Sequence, residues 1–568
     1  MPNAQLRKML LVAGVLGLSF IGFSQVPKEQ AKVKPVSASA KPTSKLTEEQ
    51  KQAYDLLEAS EASSRGLEAP MRSYGLLQIA SSYPTAENEG KKPRALLRDA
   101  FTSSLEIQDD DDVKSRLQED IFRSLLPLSQ ADVEELLSQA ESKVRKQTSE
   151  RMINLYTEKK QFDKAVDLVN QITAWDEFPY ASGGRLMDAL PADMMADKQG
   201  LFLQAVNSFK NHTHKGMQMG EGTLTSLIVR HSGEMNPKVV LQAIDDVLSQ
   251  AKSKDEGKAN NITIAGAGGS VSFTSDYEFQ LFSLLPILER LDESRAKSLL
   301  QENQALQAKL QQFPQGMNSI SPPSPARSSE PVKQAEGKPQ KQRMMQRSFS
   351  STDSNMAAQM QAAAEAQHRL EEIIAQADKD PAQALARATT LPLGGEGMMS
   401  SPRGDALRAI ADASVKTNAA IASQAAGELR KSVPDMPLAV QAQYLHSAIN
   451  IYTQLGDLDS AERTISAGIK LADKLLEKDL NPEDPNKALK AWWPSTDAYR
   501  RFVEAQTKIS QRETTNLLKE IKDPDIRTME SITYARSLLG LPTKRTVVAE
   551  KHKNGNSMAV MDIGNDTN

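Results

Sequence analysis

The sequence contains no cysteine, and that absence excludes several kinds of site. A chain without thiols cannot form a disulfide, use a thiolate nucleophile, bind zinc through cysteine or hold an iron–sulfur cluster. Aromatic residues are also scarce, at 5% of the 568 residues. This length has room for about three or four domains or for one long repeat array, whose stability would have to come from packing alone.

Histidine is scarce as well, and its pattern does not indicate a metal site. The chain has six histidines, of which only His212 and His214 are close in sequence. Residues two apart do not share a helix face, and a catalytic zinc needs three protein ligands. His231 could approach this pair only through a turn that the sequence does not require. We therefore expect solvated loop histidines, no bound metal and no cofactor.

Three further motifs lack the partners that their chemistry needs. The aspartate run at 109–112 has Lys114 where a calcium loop needs glycine, so it favours a helix start. The glycine-rich stretch 265–270 lacks the Lys-Ser/Thr of a phosphate loop. Ser-x-x-Lys at 249–252 and 294–297 has no accompanying motif. The sequence thus indicates no catalytic residue, although a triad built from distant residues stays an open alternative.

The N-terminus has the layout of a secretory signal peptide. Two basic residues precede an apolar run at 9–23, and small residues follow. We predict that residues 1–24 are removed after Ser24, which makes the protein exported, either periplasmic or extracellular. As a helix the run would span about 22 Å, less than the roughly 30 Å of a bilayer core, but an uncleaved anchor is the alternative. No later segment is apolar enough to predict another transmembrane helix.

Composition divides the rest of the chain into ordered and flexible parts. Residues 25–46 predict a disordered tether, and 314–357, rich in Pro, Ser and Lys, predict a disordered linker. The linker separates an N-terminal helical domain at 47–313 from a C-terminal one at 358–543. Residues 544–568 form a tail. The tail has two β-rich arms around Asn-Gly and could form a hairpin, but we favour a flexible tail because it is terminal.

The flexible segments are basic, so the ordered halves are acidic. The whole chain has a net charge of only −4, which gives no reason to expect nucleic acid as a partner. Disordered segments avoid apolar residues in any case. The alternative is that these basic segments contact an anionic polymer, a lipid surface or the acidic halves themselves.

Helical periodicity dominates both halves and predicts an all-α fold. Runs with apolar residues three and four apart are separated by short breaks, which favours antiparallel neighbours. Strand-like residues flank the glycine-rich turn within 260–275, with arms at 262–264 and 271–273. They predict one small β-hairpin that protrudes from the helices.

Two segments have the residue spacing of closely packed helix pairs. Small residues let two helices approach, while large ones fill the groove between them. In 445–476 the relevant positions are Tyr452, Gly456 at the turn, Ala461, Ile465 and Gly468. In 153–172 they are Tyr156, Ala165 and Val169, with Lys160 where the turn glycine is expected.

Both segments resemble tetratricopeptide (TPR) hairpins, although they cover a small part of the chain and no regular period runs through it. The resemblance implies two lobes of an α-solenoid with irregular repeats, and an unrelated helical bundle is the alternative. It also implies a surface that binds proteins or peptides.

The tryptophan pair Trp492-Trp493 followed by proline is unusual in a chain with three tryptophans. It could plug the core at a helix end or present an exposed anchor to a partner. We take Trp492, Trp493 and Tyr452 as candidate binding residues. The sequence favours an exported, non-catalytic repeat protein that binds a protein or peptide. The alternative is an exported hydrolase or lyase acting on an envelope polymer, with its site in a helical groove.

Overall fold

The structure is a computed structural model that describes twelve stretches of the chain. The predicted signal peptide, nearly all of the tether and most of the linker lie outside them. The described residues are 46–84, 90–108, 110–212, 220, 222–255, 262–266, 269–320, 354–394, 400–483, 488–542, 545–548 and 560–563. None of the helices in these stretches is long and apolar enough to cross a membrane.

Helices make up most of these residues, as the sequence predicts. The first half contains α1 (Glu48–Arg65), α2 (Ala69–Ala80), α3 (Lys91–Leu105), α4 (Asp111–Leu125), α5 (Gln130–Leu137), α6 (Ser142–Glu158), α7 (Phe162–Trp175), α8 (Tyr180–Ala189), α9 (Met195–Asn211), α10 (Leu224–His231), α11 (Pro237–Asp255), α12 (Asp276–Leu291), α13 (Glu293–Glu302), α14 (Gln304–Gln312) and α15 (Met317–Ile320). The second half contains α16 (Ser354–Ala377), α17 (Pro381–Ala388), α18 (Pro402–Ser414), α19 (Ala419–Ser432), α20 (Leu438–Leu455), α21 (Leu458–Asp479), α22 (Pro494–Ile509), α23 (Gln511–Glu520) and α24 (Pro524–Leu538). Short 3₁₀ turns lie at Ala192–Met194, Val433–Asp435 and Lys490–Trp492.

Side-chain caps fix where many helices begin. The carboxylate of Asp110 accepts a hydrogen bond from the backbone N–H of Val113 at 2.9 Å, and two further aspartates follow in the first turn of α4. The helix start predicted for the aspartate run is therefore confirmed. Ser129 caps α5 and Asp292 caps α13 in the same way. Each cap satisfies an N–H that has no partner within its helix.

The helices stack as antiparallel pairs in two rows. Neighbours in the first row, called here the even-numbered row, pack in the order α16, α18, α20, α22, α24, α2, α4, α6, α8, α10 and α12. Most odd-numbered helices pack against the even-numbered helices next to them in the chain. Ion pairs join several of them, including Arg65 of α1 to Asp99 of α3 at 2.7 Å and Arg98 of α3 to Glu135 of α5 at 2.6 Å. This stacking of helix pairs is a helical-repeat architecture.

The order of the rows is not the order of the chain. The C-terminal helices come first, and α24 is followed in space by α1 and α2. Helix α1 packs antiparallel along α24, where Gln52 donates to the hydroxyl of Tyr534 at 3.0 Å. The first helix of the chain therefore completes the last helical hairpin. We call the contact of α1 and α2 with α22 and α24 the joint.

Each half has its own hydrophobic core, and α24 contributes to both. Met529, Ile532 and Ala535 pack with the core of the N-terminal helices, whereas Ile526 and Tyr534 pack with the core of the C-terminal helices. A helix that is buried on nearly every face is typical of the interior of a large array rather than of its end.

Helices α6 and α20 end in the same backbone geometry, although one turn uses lysine and the other glycine. Both turn residues have positive φ, 56° at Lys160 and 73° at Gly456. In both turns the next N–H donates to the carbonyl oxygen of the tyrosine five residues before it, at 2.8 Å for Tyr156 and 2.9 Å for Tyr452. This is the hydrogen-bond pattern that closes helix C-termini with a left-handed residue.

The residues that the spacing marks are buried in both hairpins. They are Tyr156, Ala165 and Val169 in the α6–α7 pair and Tyr452, Ala461, Ile465 and Gly468 in the α20–α21 pair. Two helical hairpins are thus confirmed where the spacing predicts them. Membership of the TPR class stays a prediction.

The β-hairpin predicted within 260–275 is confirmed. Strand β1 (Ile262–Gly266) pairs antiparallel with β2 (Gly269–Phe273), with Ile262 opposite Phe273. The ring of Phe273 packs against Phe279 and Phe282 of α12, which fixes the hairpin to the helices.

A second strand pair lies in the tail. Strand β3 (Arg545–Val548) pairs antiparallel with β4 (Val560–Ile563). For these eight residues the structure shows the hairpin alternative rather than the flexible tail that we favoured. Apolar and polar residues alternate along the two arms, as is typical of strands. The backbone hydrogen bonds between the arms outweigh the tendency of a chain end to stay flexible. The other residues beyond 548 lie outside the described part of the chain.

Candidate interaction surface

The sequence-predicted tryptophan pair is buried rather than presented to solvent. Trp492 is 5% and Trp493 is 8% exposed. The guanidinium of Arg116 in α4 lies 4.7 Å from the ring centre of Trp492, and the indole N–H of Trp493 donates to the carbonyl oxygen of Ala488 at 2.7 Å. Trp492 packs with the core of the N-terminal helices. The pair therefore occupies the packing position that was the alternative to an exposed anchor.

Tyr452 is also a packing residue in this structure. It is 4% exposed inside the α20–α21 hairpin, and burial raises the pKa of its hydroxyl. The structure thus keeps all three candidate binding residues away from solvent, and it does not bring Tyr452 together with the tryptophans in one core. Their binding role stays a prediction.

The third tryptophan has the exposure that the pair lacks. Trp175, the last residue of α7, is 37% exposed. The guanidinium of Arg145 in α6 lies over its ring at 4.4 Å, and beside it Lys146 pairs with Asp176 at 2.9 Å. Cation–π contact holds the indole in place without hiding it. Trp175 and Arg145 form the centre of what we call the α6–α7 patch.

Sequence reasoning missed Trp175, although one signal could have found it. The buried residues of α7 are Ala165, Val169 and Ile172, which lie along one stripe of the helix. At 100° per residue the stripe continues at 176, and Trp175 falls about 80° away from it. A tryptophan off the buried stripe of a helix is a candidate for a surface contact.

Helix α6 also carries a polar stripe on a different face from the α6–α7 patch. Gln147, Arg151 and Asn154 lie at i, i+4 and i+7, and at 100° per residue they are about 120–180° around the helix from Arg145. All three are half-buried, and each has an occluded side-chain atom without a partner among the described residues: Gln147 Oε1, Arg151 Nη1 and Asn154 Oδ1. Leaving a buried polar atom unpaired costs about 1–3 kcal/mol.

The other nitrogen of Arg151 connects this stripe to α4. Its Nη2 donates to Glu119 Oε1 at 2.5 Å, and Arg123 donates to the same oxygen at 3.0 Å. Burial alone would raise the pKa of Glu119, but the hydrogen bond and charge of Arg151, together with Arg123, hold that pKa below its usual value. The carboxylate therefore stays charged and keeps Arg151 in its place.

The histidines do not form a metal site in the described part of the chain. His212 is exposed and its Nδ1 lies 2.8 Å from the carbonyl oxygen of Ser208, whereas His214 falls outside the described residues. His231 is buried, with Asp188 at 3.2 Å and Glu234 at 3.6 Å. Among the described residues no group of three His, Asp or Glu side chains could hold a metal ion.

The cavities that the structure outlines are small. One lies at the joint, and another lies among α9, α10, α11 and α12; each has a free volume of about 10 Å³. That volume holds about one water molecule. Small-molecule sites usually measure several hundred cubic ångströms. Neither cavity therefore has the size of a substrate pocket.

Comparison with known proteins adds little to these observations. No protein-family profile matches the chain, and no curated protein is similar to it. A solved structure described as a "circular tandem repeat protein with novel repeat topology and enhanced subunit contact surfaces" aligns over 86% of this chain and 98% of its own length. The identity is 11% and the TM-score is 0.13, too low for the likeness to carry an argument.

Proposed function

We propose that this protein is an exported, non-catalytic helical-repeat protein that binds a protein or peptide partner outside the cytoplasm. The observation that carries the proposal is the exposed Trp175 stacked on Arg145. Tryptophan and arginine are the residue types that most often dominate the energy of protein–protein interfaces. A patch around such a pair fits a macromolecular partner better than it fits a small substrate.

The polar stripe on α6 lies on another face of the helix and offers a second place where an extended peptide segment of the partner could bind. Gln147 and Asn154 are seven residues apart, which places them about 10 Å apart along the helix. An extended chain advances about 3.3 Å per residue, so about three peptide residues cover that distance. Rotation of the half-buried side chains brings their unpaired atoms to the surface. The partner's backbone then completes hydrogen bonds that the free protein leaves unmade.

The test of binding compares wild-type bait with two matched variants. Mature protein is used to recover partners from envelope extract, and the affinity of the recovered partner is then measured with purified components. Trp175→Ala should weaken binding at least tenfold, since truncating such an anchor costs about 2 kcal/mol or more. Leu480→Ala removes an apolar side chain in the other half that is even more exposed than Trp175, and it should leave affinity unchanged. Equal affinities for all three proteins would contradict the proposal.

Export has its own test. If the signal segment is removed after Ser24, N-terminal sequencing of the protein from the envelope fraction begins at Gln25. A chain that still begins near Met1 in the membrane fraction would show an anchored protein instead.

A further inference from the structure

The joint contains a buried cavity, lined by two arginines, that the binding function does not use. Its wall includes Tyr74 and Gln78 from α2, Arg500 from α22 and Arg536 from α24. Met529 supplies part of the apolar wall. The cavity therefore exists only where the two halves of the chain meet.

Arg536 is the side chain that makes this cavity unusual. It is 5% exposed, and its hydrogen-bond partners are all neutral. Nη1 donates to Ser81 Oγ at 2.8 Å and Ser82 Oγ at 2.9 Å, and Nη2 donates to the carbonyl oxygen of Pro542 at 2.7 Å. No carboxylate in the described stretches forms an ion pair with it. A buried arginine is normally paired with a negative charge.

One nitrogen of this guanidinium has no partner. Arg536 Nε is buried and makes no hydrogen bond to any described residue, while the side chain lines the cavity. Burial lowers the pKa of Arg536 and the charge of Arg500 lowers it further, while Tyr74 and Glu504 act in the opposite direction. The unpaired Nε of Arg536 therefore lies beside an empty volume of about 10 Å³.

A buried carboxyl group on the same helix as Arg536 forms no ion pair with it. Glu530 is fully buried in α24, and neither of its oxygens has a hydrogen-bond partner among the described residues. Burial raises its pKa to about 8, against the opposing charge of Arg500. The carboxyl group is then mostly protonated at pH 7 and carries little charge. Glu504 and Asp497 also contribute to the field here, but Asp497 forms an ion pair with Arg501 at 2.7 Å.

We propose that the cavity binds one small monovalent anion, with chloride as the abundant candidate. The anion accepts the free N–H of Arg536 and balances the charge of that guanidinium. The volume admits a monatomic ion and excludes bulky organic anions. Because the wall comes from α2, α22 and α24, the bound anion holds the two halves together.

The first experiment measures thermal unfolding of the full mature chain in sodium chloride and in sodium gluconate at equal ionic strength and pH 6.5. Gluconate is too large for the cavity, so it controls for screening. A ligand that binds only the folded state stabilises it by mass action. We expect Tm to rise with chloride in a saturable way, by about 1–3 °C. Equal responses to the two salts would overturn the proposal.

Variants locate the effect. Arg536→Gln should abolish the difference between chloride and gluconate, whereas Arg527→Gln, which replaces an exposed arginine on the same helix, should retain it. An unchanged chloride response in Arg536→Gln would place the site elsewhere and overturn the assignment. If that variant does not fold, bromide decides the question in the wild-type protein. Crystals grown with bromide should show an anomalous peak within hydrogen-bond distance of Arg536 Nε, and a cavity without that peak would overturn the proposal.

Discussion

At the scale of single residues, two helical glycines have opposite surroundings. A Cβ atom added at Gly468 in α21 would lie 2.4 Å from the ring of Phe502 in α22, whereas one added at Gly200 in α9 would meet nothing within 4 Å. The missing side chain at Gly468 lets two helices approach, while the one at Gly200 only adds flexibility to the unfolded chain.

Alanine substitutions should separate these two roles. Gly468→Ala should destabilise the protein by about 1–3 kcal/mol, because a packed ring has to move. Gly200→Ala should stabilise it by about 0.5–1 kcal/mol through helix propensity. Urea denaturation of both variants measures the changes. Destabilisation of similar size in both would contradict the close contact between α21 and α22.

The turn after α6 contains a residue that is conformationally costly. Lys160 has a φ of 56°, a region that side chains with a Cβ atom seldom adopt. Lys160→Gly should therefore stabilise the protein by about 0.5–1 kcal/mol. Lys159→Gly, one residue earlier at φ −80°, should destabilise it instead. Denaturation midpoints compare the two, and a loss of stability in both would contradict the left-handed turn.

Glu530 should make stability depend on pH. Burial raises its folded-state pKa to about 8, well above the usual 4.5 of an exposed glutamate, so the folded protein binds a proton that the unfolded chain has released. Between pH 4.5 and about pH 8 the free energy of unfolding therefore falls as the pH rises. Glu530→Gln should remove that fall, measured by urea denaturation from pH 5 to pH 8. Glu520→Gln, at an exposed position on α23, should keep the wild-type slope. A wild-type slope in Glu530→Gln would contradict this assignment.

At the scale of elements, hairpin packing has a direct test in α21. Ala461 is fully buried early in this helix, and Ala467 on the same helix is exposed. Ala461→Leu should cost about 1–3 kcal/mol through overpacking, whereas Ala467→Leu should change stability by less than about 0.5 kcal/mol. Thermal melts of the two full-length variants give the comparison. Equal, negligible shifts would mean that α20 and α21 do not pack closely at Ala461.

The local sequence was enough to predict many helices and hairpins, but not how distant helices pack against each other. The hairpin at 262–273 and the α6–α7 and α20–α21 pairs could be predicted because their signals lie within a few turns of the chain. The pairing of α1 with α24 could not, since it joins residues more than 450 positions apart. The same limit explains why the sequence left both a core plug and a surface anchor open for the tryptophan pair. Burial of Trp492 depends on Arg116, on a distant helix.

At the scale of the whole molecule, the joint should hold the halves together without the linker. The composition of 314–357 predicts a protease-sensitive linker. Cleavage there should give two fragments that still elute together in gel filtration, because α1 and α2 remain packed on α24. A variant with Arg536→Gln should release the fragments more readily. Immediate separation of wild-type fragments would contradict a stable joint.

The pairing of the first helix with the last also determines when folding can finish. During synthesis α1 emerges about 460 residues before α24, so the last hairpin closes only when the whole chain is present. Contacts between residues so far apart in the chain slow folding, because the entropy of closing the chain is lost before the packing contacts can form. A rearranged chain that starts at α16 and runs through α24 directly into α1 would place every hairpin in sequence order. Its folding could then proceed from neighbour to neighbour, without waiting for the two ends of the chain to meet.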